Sequence, residues 1–362
     1  MSGKPCTSQI LHCFFASLIF LSASALDAQI AAQPPKTEHV WVVFRTHFDI
    51  GYTDRVAAVL ARYRGPMVDN AMAVIAENRA SPSGQRFSWT VPGWPLTRII
   101  DNQQTPDRRA KVLEALKEGS LAVHALPFSM HTESLDIEDL VRGLHFSSKI
   151  ARDLDMPLPI GAKMTDVPSH SWILPTLLHH AGIRFLHLGC NGGSQYPRVP
   201  QLFWWEGPDG SRILCAYTPD YGSPPTPDRG WPAKNYLAMI MEGDNHGPPT
   251  VEEVENVRRR IAAGLPEAKV TFGTLDDFAK AIEEEKPDLK VIPGDMPDTW
   301  IHGLMQNLEL TSDTVIELDR GPGNDTARYI LSEGAYQFGS TPQGWEIYRS
   351  NDAPLADAVA AN

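Results

Sequence analysis

The hydrophobic pattern opens on Val40-Trp41-Val42-Val43-Phe44, an unbroken apolar run rich in β-branched and aromatic residues. Such a run reads as a strand buried on both faces. The pattern predicts a first strand over His39 to Phe44 and a helix over Arg55 to Asn78. Arg86 to Val91 reads as a second strand, broken by Pro92-Gly93, with a helix around Pro95 to Asp101. Pro106 to Glu118 has helical spacing, and Gly119 is placed to end it. Ser120 to His124 is a third strand, Ile137 to Asp153 an amphipathic helix, and Ile160 to Met164 a fourth strand. The next helix has an apolar face of Ile173, Leu174, Leu177 and Leu178. Ser169 or Ser171 is its expected cap, and Gly182 closes it. Arg184 to Leu188 is a fifth strand.

Strands alternating with helices at this spacing predict a parallel sheet built from βαβ units. Residues 203–217 differ: two apolar runs flank Gly207-Pro-Asp-Gly210, which is hairpin chemistry. Thr218 to Pro232 reads as a long surface loop. Thr250 and Glu253 form a capping box for a helix over Val251 to Ala263. Val270 to Phe272, Leu275 to Glu285 and Val291-Ile292 follow as strand, helix and strand. After about Leu310 the periodicity fails, and 311–362 is an unassigned tail.

The N-terminus changes the picture. Lys4, an apolar stretch from Ile10 to Ala25 and small residues up to Ala28 read as a signal peptide over 1–28. The stretch is short for a membrane span. Residues 29–38 are a polar linker. The expected location is therefore periplasmic or extracellular, with no membrane contact after cleavage. Export leaves Cys190 and Cys215, which either pair or stay as buried free thiols. The formal net charge of −12 argues against nucleic acid as a partner and leaves a neutral sugar open.

Candidate chemistry gathers where strands end. His47 and Asp49 follow the first strand two positions apart, so a period of two puts both on one face. An imidazole and a carboxylate presented together suit a divalent metal such as zinc. Asp166 follows the fourth strand, and His302 follows the last one. Two histidines and two aspartates at one end of a sheet fit a four-ligand metal site. The Gly243-Asp244 loop adds another acid, and the His131-Thr-Glu133 loop two further polar groups.

At these residues the chain resembles the catalytic domain of glycoside hydrolase family 38, the α-mannosidases, and more closely an uncharacterised bacterial branch. Thr46-His-Phe-Asp49 is similar to the family's His-x-Asp zinc motif. Asp166-Val-Pro-Ser-His-Ser-Trp-Ile-Leu-Pro175 resembles its Asp-x-Phe-Gly-x-Ser-x-x-Leu-Pro motif, with Pro168-Ser169 in place of Phe-Gly. Gly243-Asp244 resembles the loop of the acid/base aspartate, and His302-Gly303 the late His-x-Gly motif.

The resemblance implies an irregular seven-stranded parallel (β/α) barrel of the glycoside hydrolase and deacetylase type, over 39–310. It implies a retaining glycosidase acting on α-mannosides, with Asp166 as nucleophile and Asp244 as acid/base. His47, Asp49, Asp166 and His302 would hold the metal, with zinc expected. His131, Glu133 and Trp300 are candidate sugar contacts, and Trp204 and Trp205 further ones. Two other readings use the same residues. One is a metal-dependent carbohydrate deacetylase. The other is a truncated, inactive carbohydrate-binding remnant, since the family continues into a helical bundle and β domains.

Overall fold

The computed structural model describes residues 35–298, save 51, 83 and 168, and four short strands beyond them. The expected signal peptide, Trp300 and His302 lie outside the described residues.

The first strand, β1 (His39–His47), runs three residues further than the apolar pattern suggests. It therefore carries His47 as its last residue. The helix expected after it is interrupted: α1 (Val56–Arg62) and α2 (Val68–Asn78) are joined by a π-helical turn, Tyr63–Met67. Pro66 sits in that turn, where its missing N–H breaks the regular α pattern. Then come β2 (Trp89–Val91), α3 (Gly93–Ile99), α4 (Pro106–Glu118) and β3 (Leu121–Val123). Gly119 ends α4 in the left-handed region, as its position predicted. The helix expected over 137–153 is two, α5 (Ile137–Gly143) and α6 (His145–Asp153).

β4 (Gly161–Thr165) leads to α7 (Ile173–His180) and β5 (Phe185–Gly189). Neither Ser169 nor Ser171 caps α7; its N-cap is Trp172, with no side-chain bond. The backbone N–H groups of Ser169 and Ser171 go instead to Asp298 and Thr132. The predicted hairpin is present as β6 (Leu202–Glu206) and β7 (Arg212–Thr218).

One strand was absent from the pattern. β8 (Asn235–Asp244) has no β-branched residue before Ile240 and none of the alternation that marks a strand. It pairs with β1 along most of its length. α8 (Val251–Gly264), β9 (Lys269–Phe272), α9 (Leu275–Glu285) and β10 (Val291–Pro293) complete this part. Both α8 and α9 open with capping boxes. In the tail, β11 (Val315–Ile316) pairs antiparallel with β12 (Tyr329–Ile330). β13 (Tyr336–Thr341) and β14 (Gly344–Arg349) form a second antiparallel pair.

The strands form two five-stranded sheets. One runs β3-β2-β1-β8, with β9 against the foot of β1; the other runs β10-β6-β7-β5-β4. Two further links curl them into an irregular barrel. Ala125, beyond β3, donates to Gly161 of β4, and Ser223, beyond β7, bonds to Leu237 and Met239 of β8. The ring is thus β1, β2, β3, β4, β5, β7 and β8, and every ladder between its members is parallel. At the foot of the ring Gly161 meets α9 so closely that a Cβ would lie 2.5 Å from that of Leu275. Asp276 of α9 accepts from the backbone N–H groups of Ile160 and Gly161 there. Aromatic rings fill the layer between strands and helices: Phe44 on Phe87 and Phe272, and Phe185 on Phe278. Each such side chain contributes about 1.5–3 kcal/mol on burial. A parallel barrel places its ligand-bearing loops at the carboxyl ends of its strands.

Candidate active site

β1 and β4 deliver the centre of the site. His47 is buried, and its Nδ1 lies 3.1 Å from Thr165 Oγ1. Its Nε2 faces Asp166 Oδ2 at 3.4 Å, and its ring lies 4.8 Å from that of Tyr221. Burial pushes the imidazole down to about 4, against the opposing pull of Asp166, so it is neutral at pH 7. A neutral imidazole held at one nitrogen leaves the other for a ligand.

Asp166 sits one residue past β4 with φ +63°, a left-handed conformation uncommon for aspartate. That turn is pinned where its N–H donates to Gly189 O. Asn191 Nδ2 donates to Asp166 Oδ1 at 3.0 Å, and Tyr221 also bonds this carboxylate. Burial pushes the Asp166 carboxyl up. The His47 bond, with those of Tyr221 and Asn191, outweighs it and holds the group below its ordinary value.

Sequence reasoning missed Asn191 and Tyr221. The signal lay in Gly189: a Cβ there would meet Asp220 O at 2.4 Å, so only glycine lets the Tyr221 loop approach. Asn245 was missed too. Its N–H donates to His47 O, its Oδ1 accepts from Asp49 N, and its Nδ2 reaches Asp49 O and Thr53. It clamps the His47–Asp49 turn from the end of β8.

Asp49 is buried, and its Oδ2 accepts from Thr53 N at 2.8 Å. Burial pushes it up to about 6, and the charges of Asp244 and Asp166 add to this. Asp244 is the last residue of β8 and the register partner of His47. Sequence reading placed it in a loop; the ladder places it beside β1. As a residue it is exposed at the end of β8; what desolvation its carboxyl has there, then the charge of Asp166, pushes it up.

His131 is half-buried, with Nδ1 enclosed and unbonded. Burial pushes it down to about 4, and the charge of Asp166 acts against that, which places it near the centre. Glu133 is exposed and feels Asp295 and Asp298 rather than Asp166. Trp205 belongs to the core, where its Nε1 donates to Gly294 O. Cys190 and Cys215 are free and buried.

Of the four expected metal ligands, the structure brings His47 and Asp166 together and keeps Asp49 beside them. His302 lies outside the described residues. Among the described residues no group of three or more histidine, cysteine, aspartate or glutamate side chains is gathered closely enough to hold an ion. The chemistry of the donors still fits one. Asp49 and Asp244 each feel the repulsion of Asp166, next to an imidazole kept neutral. A divalent cation relieves that repulsion.

The sequence model of the glycosyl hydrolases family 38 N-terminal domain matches residues 37–241. The chain belongs to this family. The match takes in β1, β4 and the Tyr221 loop and ends three residues before Asp244. The family member matches in fold an alpha-mannosidase from Enterococcus faecalis V583, with a TM-score of 0.58 and 19% identity. That match covers 72% of this chain and 31% of the mannosidase, so the chain spans about a third of its length. A family 38 protein from Enterococcus faecalis matches at TM-score 0.49 and 17% identity, over 72% of this chain and 29% of the other. A 4-alpha-glucanotransferase from Thermococcus litoralis matches at 0.47 and 16%, over 71% and 42%. No curated protein matches the chain. No helix among the described residues is long and apolar enough to cross a membrane.

Proposed function

We propose that this chain is the catalytic domain of an exported, retaining glycoside hydrolase acting on α-mannosides. The observation that carries the reading is the split between two carboxyls at the carboxyl ends of β4 and β8, on the same end of the barrel. Asp166 is held ionised by three donors, while Asp244 is pushed toward its protonated form. Such a split assigns a nucleophile and an acid. Family membership supports a glycosidic substrate, and the fold shared with a bacterial mannosidase supports the sugar.

Asp166 attacks the anomeric carbon as the glycosidic bond breaks, and Asp244 gives its proton to the departing oxygen. A covalent glycosyl-enzyme forms on Asp166. Asp244, now ionised, takes a proton from water, which releases the sugar with its configuration retained. Asn191 and Tyr221 keep the nucleophile oriented between these steps. His47, Asp49 and Asp166 would hold a divalent ion, zinc by their mix of donors, with His302 the fourth ligand the motif supplies. The chemistry offered by such an ion is a Lewis-acid grip on sugar hydroxyls. His131, held near Asp166, is a further candidate contact for the same sugar.

The test is proton NMR of an aryl α-mannoside incubated with the zinc-supplemented protein. The expected first product is the α-anomer of mannose. A β-anomer first would rule out the double displacement. Acetate from acetylated sugars, with no sugar from mannosides, would replace the reading with a deacetylase.

A further inference from the structure

Below the acidic rim the barrel interior turns basic. Arg45 lies on β1 two residues before His47, on the same inward face. It is 1% exposed, and none of its three guanidinium nitrogens has a hydrogen-bond partner. Lys163 lies on β4, also buried; burial and then the charge of Arg45 push its ammonium well below the ordinary lysine range, against the pull of Asp166 and Asp244. Among the described residues no ion pair or hydrogen bond joins either cation to a carboxylate. Asp220 and Asp244 act on Arg45 only through space. Thr90 of β2 is the register partner of Arg45, and its buried Oγ1 is unbonded as well.

A buried guanidinium without a hydrogen-bond partner is costly, and it stands beside a lysine that burial drives toward its neutral form. Water supplies lone pairs to such groups but leaves the guanidinium charge uncompensated. An anion supplies both. We propose that Arg45, Lys163 and Thr90 form a binding site for a small inorganic anion of the halide class, chloride being the abundant one. The three residues present N–H, ammonium and hydroxyl donors. A spherical ion accepts from any direction and needs no proton. A sugar ring is excluded by size, since the guanidinium is closed off from solvent.

A cavity of about 680 Å³ lies where β2 and β3 begin, lined at depth by Thr90 and His124. Both signs of charge line it, Lys280 and Arg86 against Glu118 and Asp277. This site is independent of the glycosidase reading.

The experiment is thermal unfolding of the full chain at fixed ionic strength, with sodium chloride or bromide replacing sodium gluconate. The expected result is a saturable rise in melting temperature of about 2–4 °C with either halide and none with gluconate. Arg45→Met should abolish the rise. Thr90→Val, which keeps the shape, should move its midpoint to higher halide concentration by about threefold or more. Crystals grown in bromide should give an anomalous peak within hydrogen-bond reach of Arg45. Should Arg45→Met fail to fold, Thr90→Val and the bromide map decide alone. Identical melting in all three salts, a halide response unchanged in Thr90→Val, or a bromide map empty at Arg45 would each overturn the site.

Discussion

Asp166 and Asp244 stand at the carboxyl ends of two strands of one barrel, β4 and β8, and desolvation pushes both carboxyls the same way. Their environments part because of what else reaches them. Around Asp166, His47, Asn191 and Tyr221 converge from three other strand ends, and the donors win over burial. Around Asp244 the opposing influences are the charges of Arg45, His246 and Lys163, and these do not offset burial and Asp166. The carboxylate itself decides nothing here. The role of each is set by donors that neighbouring strands aim at one and not at the other.

The largest effect should come from breaking the donor-rich side. Asp166→Ala should lose turnover by more than about 10⁴-fold on every α-mannoside, including aryl glycosides with good leaving groups. Stopped assays with both leaving-group classes check this. Retained activity on the activated class would strip Asp166 of the nucleophile role. Asp244→Ala should cost about 10²–10⁴-fold on unactivated mannosides. On activated ones it should still form the glycosyl-enzyme and then stall. Azide should restore its turnover and yield the glycosyl azide of retained configuration. Wild-type rates on an unactivated mannoside would transfer the acid role to a neighbour such as Glu242, whose carboxyl is also raised.

How far the sequence reveals this contrast differs between the two sides. β1 was legible because its apolar run is continuous, and the His47–Asp49 spacing sits at its end. Asp166 was legible from a motif that follows a short strand. Gly119, the hairpin at 207–210 and the capping box at Thr250 were legible because each is local chemistry. β8 was not, since Tyr236-Leu-Ala-Met-Ile-Met241 owes its strand state to a long ladder with β1, a tertiary effect. Asn191, Tyr221 and Asn245 were hidden for the same reason. Their partners lie 25 to 198 residues away, from Asn191 to Asp166 and from Asn245 to His47, and nothing near them in the chain marks those contacts. The seven-strand ring was implied by resemblance, but its closure through Ala125 and Ser223 uses single bonds outside any strand.

A third break acts on the metal. Asp49 is raised to about 6 when folded, against an ordinary value near 3.8. A raised carboxyl favours the folded state when protonated. In metal-free protein its contribution is therefore full below pH about 3.8 and is lost as pH rises through about 6, at a cost of about 3 kcal/mol. A bound cation should cancel that loss by neutralising the carboxylate. Chelated protein should thus lose melting temperature over pH 4 to 6.5, relative to chelated Asp49→Asn (window set by the Asp49 shift). Added zinc should close the gap in wild type only. Parallel curves for the two proteins with chelator would remove Asp49 from the cation site.

The smallest expected effect sharpens the comparison rather than breaking it. Tyr221 gives Asp166 one of its donors, and Gly189 makes room for the loop that carries it. Tyr221→Phe deletes the hydroxyl and keeps the ring that packs on His47. A hydrogen bond to a charged group is worth about 1.5–3 kcal/mol, part of which Asn191 and His47 retain. The variant should lose about tenfold in kcat/KM. Its pH profile separates this from simple loosening. On the proposed assignment the acid limb of wild type belongs to Asp166, below the ordinary carboxylate range, and the alkaline limb to Asp244, above it. Removing a donor to ionised Asp166 must raise its value, so the acid limb moves up in pH. The same change leaves Asp166 charged at the alkaline limb, where the charge still acts on Asp244. The alkaline limb therefore stays, and the bell narrows from one side. A uniform fall in rate with both limbs fixed would mean that Tyr221 only packs.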